Sequence, residues 1–158
     1  MDVSKIITSL GAEKTRFLKF CAVGGSGVAV NLLFVWVGNA CLFAPLGEGL
    51  KTSLAYVFGI AVSILTNFIL NDLWTWSDRE KKGAGHFFVR LLKYYLVSAV
   101  AGVAQFLCAT GVVWLFRIWL YAAFEAVPLW AKLAGALVGI AVGTLINFVM
   151  NHFWTFRK

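Results

Sequence analysis

Charge is what this chain has least of. Only 13% of its 158 residues are Asp, Glu, Lys or Arg, while 61% are hydrophobic and the mean hydropathy is +0.83. A soluble domain carries about 25% charged residues, so water is excluded as the main solvent and lipid is implied. Acids are scarcest, seven against fourteen Lys and Arg, and none falls deep within an apolar run. That argues against a pump working through a membrane-buried carboxylate. Two prolines and 16% aromatics fit long helices with interfacial anchors. The three cysteines, Cys21, Cys41 and Cys108, all sit in apolar runs without metal-ligand spacing, as small packing residues do. There is no nucleophile–base pair, paired-carboxylate motif or zinc pattern, so neither an enzyme nor a cofactor is expected. Gly24-Gly25-Ser26-Gly27 follows no strand and lies inside an apolar run, which disqualifies it as a phosphate loop. The first fifteen residues lack the apolar core of a signal peptide, so insertion falls to the spans themselves. The net charge of +7 leaves too little polar chain to form a nucleic-acid groove. Its basic residues are assigned to orientation and to anionic lipid head groups.

What is present is one element, twice. Gly59–Trp76 reads GIAVSILTNFILNDLWTW, and Gly139–Phe156 reads GIAVGTLINFVMNHFWTF, with ten of eighteen aligned positions identical. Upstream, Arg16-Phe17-Leu18-Lys19-Phe20 matches Arg90-Leu91-Leu92-Lys93-Tyr94 at an offset of 74, which also pairs Asn31 with Gln105. The later segments match at an offset of 80, so the second copy gains six residues in its outer loop. The fold class expected is an all-α integral membrane protein, a single four-span domain over 1–158. It comprises repeat one at about 15–76, a linker at 77–87 and repeat two at about 89–156. Each copy contributes two helices, so the copies insert in the same sense, as parallel repeats.

Spans are expected at about 17–43, 52–73, 88–116 and 130–153, each meeting the roughly 20 apolar residues a crossing needs. A mixed-charge leader, Met1–Thr15, is placed along the membrane surface, and Ser77–Gly85 is read as a polar connector. Trp74, Trp76, Trp154 and Phe156 occupy the positions of interfacial aromatics. Eleven cations (Lys5, Lys14, Arg16, Lys19, Arg79, Lys81, Lys82, Arg90, Lys93, Arg157, Lys158) fall on one side, against Lys51, Arg117 and Lys132 on the other. The positive-inside rule puts both termini and the central loop in the cytoplasm, with the chain multi-pass in the cell's inner membrane.

Three constellations could carry chemistry. At spacing four, Ala55, Gly59, Ser63, Asn67 and Asn71 in one copy match Gly135, Gly139, Gly143, Asn147 and Asn151 in the other. The small residues form a close-packing seam. The amides cost energy in hydrocarbon unless hydrogen-bonded. Asn67 lies ~10 Å and Asn71 ~4.5 Å inward of Trp74 at 1.5 Å per residue, so the amides either clamp helices together or line a notch that meets a ligand. Arg16 with Lys19, and Arg90 with Lys93, each share a helix face. They either snorkel to bulk lipid phosphates or bind one specifically, where a planar guanidinium fork, a mobile ammonium and neutral amides suit a phosphate. Asn31 and Gln105, near mid-depth, could line a path or bond each other. Asp72 and His152, near the interface, are expected to be solvated, with Asp72 placed to orient Arg90 or Lys93. His86 carries no signal.

The Arg-Phe-x-Lys-Phe-like opening at Arg16 carries a family resemblance, together with the two exits Asn67-Phe68-Ile69-Leu70-Asn71-Asp72-Leu73-Trp74-Thr75-Trp76 and Asn147-Phe148-Val149-Met150-Asn151-His152-Phe153-Trp154-Thr155-Phe156. Over roughly Thr15 to Lys158 the chain resembles the GtrA-like membrane proteins. Trp76 stands where an exit Phe is usual. The resemblance implies a role in cell-surface polysaccharide synthesis, moving polyprenyl-phosphate-linked sugars or anchoring the glycosyltransferases that use them.

Residues and resemblance together lead to a flippase or translocation component for a polyprenyl-phosphate lipid. Its phosphate would be bound by Arg16, Lys19, Arg90 and Lys93 with Asn67, Asn71, Asn147 and Asn151, the head group crossing along a seam past Asn31 and Gln105. Trp74 and Trp154 serve as interfacial anchors. The expected partners are that lipid, bulk membrane lipids, a glycosyltransferase and a second copy of the chain, the last because four helices enclose little interior. The alternatives are a non-transporting scaffold for a glycosyltransferase and a small multidrug exporter. The exporter needs a buried acid that this chain lacks. Orientation is directly testable: fluorescent protein fused after Lys158 should fluoresce and alkaline phosphatase there should be inactive, and the reverse pattern would refute the cytoplasmic C-terminus.

Overall fold

The computed structural model describes residues 3–79, 83–119 and 128–157. Lys81, Lys82, Lys158, the first two residues of the leader and residues 120–127 of the longer outer loop lie outside them. The described residues form four long helices: α1 Val3–Val37, α2 Glu48–Leu70, α3 Gly83–Trp119 and α4 Leu129–Met150. Three of these runs are extended by five-residue π-helical turns: Gly38–Leu42 after α1, Asn71–Thr75 after α2 and Asn151–Thr155 after α4. With those extensions, four stretches are long and apolar enough to cross a membrane: Gly11–Leu42, Glu48–Thr75, Gly85–Ile118 and Leu129–Thr155. The chain is an all-α membrane protein with four spans.

Two expectations about boundaries are corrected. The leader is not a separate surface segment, because from Val3 it is the first part of α1. No proline or capping residue interrupts the run, and at 1.5 Å per residue a 35-residue helix is roughly 50 Å long, more than a hydrocarbon core of about 30 Å. The connector is shorter than 77–85, since α3 already begins at Gly83. Gly83 has φ +62°, a left-handed value that glycine alone adopts without strain, and this lets the chain turn directly into the helix.

The fold groups into two compact units, one up to Leu91 and one from Leu92 to Arg157. In the first, α1 packs on α2. The contact runs along the small-residue face, with Ala55 and Gly59 buried. A Cβ on Gly59 would sit 2.6 Å from Asn31 Oδ1 and 2.8 Å from the Asn31 carbonyl, while one on Gly38 would meet Ala55 at 3.0 Å. In the second, Ala131, Gly135, Gly139 and Gly143 of α4 are buried, the three glycines against α3. There a Cβ on Gly135 would meet the Ala109 carbonyl at 2.7 Å, and one on Gly139 the Gln105 carbonyl at 2.5 Å. The close-packing half of the duplicated stretch is therefore a backbone-to-backbone seam, where dispersion and short contacts replace a hydrophobic drive that lipid does not supply. Outside the seams the helices are sheathed in exposed Leu, Val, Ile, Phe and Trp, the surface a lipid-facing bundle requires.

Substitutions should separate seam from sheath. Gly59→Leu and Gly139→Leu are expected to cost about 1–3 kcal/mol each through overpacking. Gly102→Leu and Gly111→Leu, where a Cβ would meet nothing within 4 Å, should stay within about 0.5 kcal/mol. Unfolding in mixed micelles with SDS measures both, and equal losses at all four sites would remove the seam as the organising contact.

Candidate functional site

The site is built where α2 and α4 end. A membrane helix must pass its last carbonyls to donors, because lipid provides none. Here the Asn71 N–H is shared between the Asn67 and Phe68 carbonyls, and the Asn71 carbonyl accepts the N–H of Trp76 at 2.9 Å, a five-residue step. At the other exit, Asn151 N–H is shared between Asn147 and Phe148, and its carbonyl accepts from Phe156 at 2.9 Å. The side chains reinforce the turns. Thr75 Oγ1 donates to Asn71 Oδ1 at 2.6 Å, and Asn151 Nδ2 donates to the Asn147 carbonyl at 2.9 Å and to Asn147 Oδ1 at 2.6 Å. Asn71 and Asn151 are fully buried. The Asn71 side chain closes its turn, whereas that of Asn151 ties the turn to the end of α4.

The wide turn redistributes the three residues that follow. Trp74 and Trp154 remain roughly half exposed, while Thr75, Trp76, Thr155 and Phe156 are buried. Trp76 and Phe156 are thus core residues and not interfacial anchors. The added residue in the turn swings the chain back under the partner helix instead of out to the head groups. Trp76 meets Phe20 of α1 edge-on at 5.8 Å, and Phe156 meets Tyr94 of α3 at 6.1 Å. One residue before each of those aromatics, Lys19 Nζ lies 5.5 Å over the Trp74 ring and Lys93 Nζ 5.4 Å over the Trp154 ring. In each unit a consecutive Lys-aromatic pair on one helix grips a Trp-Thr-aromatic exit on the next, through a cation–π contact and an edge-to-face contact.

The arginines take a different course. Arg16 Nη1 bonds Glu13 at 2.5 Å and its Nη2 bonds Asp78 at 2.8 Å. Arg90 Nη2 bonds Asp72 Oδ1 at 3.0 Å, with both side chains largely buried. Asp72, expected in solvent, is instead 6% exposed, because Arg90 compensates its charge where α3 begins. It orients Arg90, one of the two cations between which the sequence left the choice. Glu13, Asp78, Thr75 and Thr155 were missed, although the Thr that follows each exit Trp offered a signal. Glu13 offered one too, three residues before Arg16 on the same helix face, whereas Asp78 offered none, its partner lying 62 positions away.

The eight residues expected around a phosphate divide between the units. Arg16, Lys19, Asn67, Asn71 and Arg90 lie in the first, Lys93, Asn147 and Asn151 in the second. Arg16, Lys19 and Trp74 line one groove of about 490 Å³ with Thr15, Thr75, Ser77 and Asp78. Asn67 and Asn71 do not reach it. Asn67 instead lays its amide over Gly27 of α1, with Oδ1 2.6 Å from where a Cβ would stand. Asn31 lies in the α1–α2 seam, and Gln105 against Gly143, whose Cβ would approach its Oε1 to 3.1 Å. The buried Oδ1 atoms of Asn31 and Asn67 have no hydrogen-bond partner in the described structure.

The residues that build the exits lie within the segment that matches known proteins. A family model described as the GtrA/DPMS transmembrane domain matches residues 19–156. The chain belongs to this family. A curated relative, a dolichol-phosphate mannosyltransferase of Pyrococcus furiosus, is 32% identical over 140 residues, 89% of this chain but 33% of that protein. The chain therefore spans about a third of the length of the relative it matches. The grips described above involve residues from Lys19 to Phe156, both ends of the matched segment.

Asp72→Asn should leave Arg90 buried without a counter-ion and lower stability by about 3 kcal/mol. Asp72→Asn combined with Arg90→Gln should recover part of that loss. Melting temperatures in detergent test the cycle, and additive losses would mean that the pair is not coupled.

Proposed function

We propose that the protein is a translocation component for polyprenyl-phosphate-linked sugars, or for the polyprenyl-phosphate carrier, in cell-surface polysaccharide synthesis. The observation that carries this reading is the groove beside Arg16 and Lys19. It opens at the end of a membrane helix, is lined by hydroxyls and two cations, and is walled by a half-exposed tryptophan. A lipid phosphate could place its oxygens against the Arg16 fork and the Lys19 ammonium while its chain stays on the apolar sheath. Glu13 and Asp78 hold Arg16 meanwhile, so an incoming phosphate exchanges with carboxylates and never finds a bare buried cation. Lys93, over Trp154 as Lys19 is over Trp74, offers a cation of the same kind within its own unit, while Arg90, Asn67, Asn71, Asn147 and Asn151, with Asn31 and Gln105, support the helices of their own units. Trp74 and Trp154 anchor the exits at the interface. The protein lies in the inner membrane as one four-span domain of two parallel repeats, with termini and connector cytoplasmic, and performs no group transfer of its own.

A second reading is favoured by one observation, the match to a third of a mannosyltransferase. The chain would then be the membrane anchor that positions a glycosyltransferase beside its lipid substrate.

Reconstituted vesicles with a polyprenyl-phosphate sugar reporter distinguish the two. Arg16→Ala with Lys19→Ala should reduce transport at least ten-fold with protein levels unchanged, while Asp78→Asn, which frees one arm of Arg16, should retain it. Transport insensitive to the double substitution would overturn the phosphate role. Co-purification of a transferase together with absence of transport would establish the anchor instead.

A further inference from the structure

Three cations lie towards the far ends of the helices, away from the exits, and they are not alike. Lys51 is neutralised by Glu48, three residues earlier at the start of α2, at 2.6 Å. Arg117, in the last turn of α3, and Lys132, in the first turn of α4, form no ion pair among the described residues. Both border one groove of about 320 Å³ with Ala109, Thr110, Val113, Trp114 and Ala136. Among the described residues no carboxylate lines it. Its floor is apolar, its rim carries two positive charges, and Trp114, 61% exposed, stands as a side wall. An apolar trough with two cations at the mouth complements an amphiphile with an anionic head and a hydrocarbon tail.

Its level in the bilayer matters as much as its lining. Arg117 stands 24 residues after Lys93 on the same helix, roughly 36 Å at 1.5 Å per residue. That spans a hydrocarbon core of about 30 Å and reaches into the head-group layer on each side. Within this one unit, the Lys93–Trp154 pair and the Arg117–Lys132 groove therefore lie at opposite membrane faces. A charged head at the second groove sits at phosphate depth while its tail lies along Val113 and Ala136.

We propose that the groove of Arg117, Lys132 and Trp114 is a second lipid-phosphate site, taking a phosphate-headed isoprenoid lipid at the membrane face opposite the exits. This rests on the proposed translocation reading and gives it a docking place on the far leaflet. Arg117 supplies a two-pronged contact to the phosphate oxygens, Lys132 a second charge, and Trp114 covers the tail's first segment.

The test uses the full chain in phosphatidylcholine nanodiscs with undecaprenyl monophosphate as probe and native mass spectrometry to count bound lipid. Wild type should retain the probe at two independent positions. Arg117→Ala with Lys132→Ala should lose one, an at least ten-fold fall in that occupancy, and Arg117→Lys should restore part of it. Arg16→Ala with Lys19→Ala should leave this position filled, so a failure at the first groove and a failure at the second are read separately. Unchanged occupancy in the Arg117/Lys132 double variant overturns the site. So does equal retention of phosphatidylglycerol, which would make it a general anionic-lipid surface, and so does displacement by millimolar inorganic phosphate, which would make the tail irrelevant.

Discussion

The carbonyl of a helix's last residues has nowhere to go in lipid, and the answer this protein gives at Asn71 and Asn151 shapes everything near it. A five-residue turn gives each asparagine carbonyl the N–H of a downstream aromatic residue; the Asn71 amide oxygen also accepts from Thr75 within the turn, while the Asn151 amide reaches back to Asn147 in the last turn of α4. Because the turn is wider than an α-helical one, the following aromatic is carried back beneath its neighbour helix. Trp76 reaches Phe20 and Phe156 reaches Tyr94. The tryptophan two residues earlier stays at the surface and becomes the platform for a lysine. Satisfying one backbone acceptor thus decides which aromatic is core and which is available at the interface.

The seams upstream obey the same economy of polar groups. Glycines let α2 approach α1, and α4 approach α3, until a Cβ would collide with a carbonyl or an amide. Asn31, Asn67 and Gln105 lie over these glycines, so the polar side chains occupy the space that the missing Cβ atoms release. Close approach and amide placement are one device. A larger residue at Gly59 would displace both the helix and the amide of Asn31.

Electrostatics separates the two membrane ends. Near the exits the buried arginines are matched one for one or better with carboxylates: Arg16 with Glu13 and Asp78, and Arg90 with Asp72. A guanidinium excluded from water needs such partners to remain charged at tolerable cost. At the far end of the second unit, Arg117 and Lys132 are exposed, and among the described residues no acid lines their groove. Carboxylates hold the exit arginines in place, whereas the two cations of the far groove have no such partner among the described residues and turn their charge outward.

The four spans, the all-α class, the glycine seam and the family were legible in the residues themselves. Length and hydropathy decide spanning, a spacing of four decides which small residues share a face, and the Asn-Phe…Trp-Thr exits are local motifs. Periodicity assumes a uniform 100° per residue, however, and that assumption fails at the π turns. From there on Trp76 and Phe156 were assigned to the interface when they belong to the core, and Asp72 to solvent when it pairs with Arg90. Which cation meets an acid and which lies on a ring depends on contacts between segments far apart in sequence, such as Arg16 with Asp78 across 62 positions. Composition and spacing place a residue on its helix, but a partner is set only when the helices close on one another, and so only the tertiary structure could decide it.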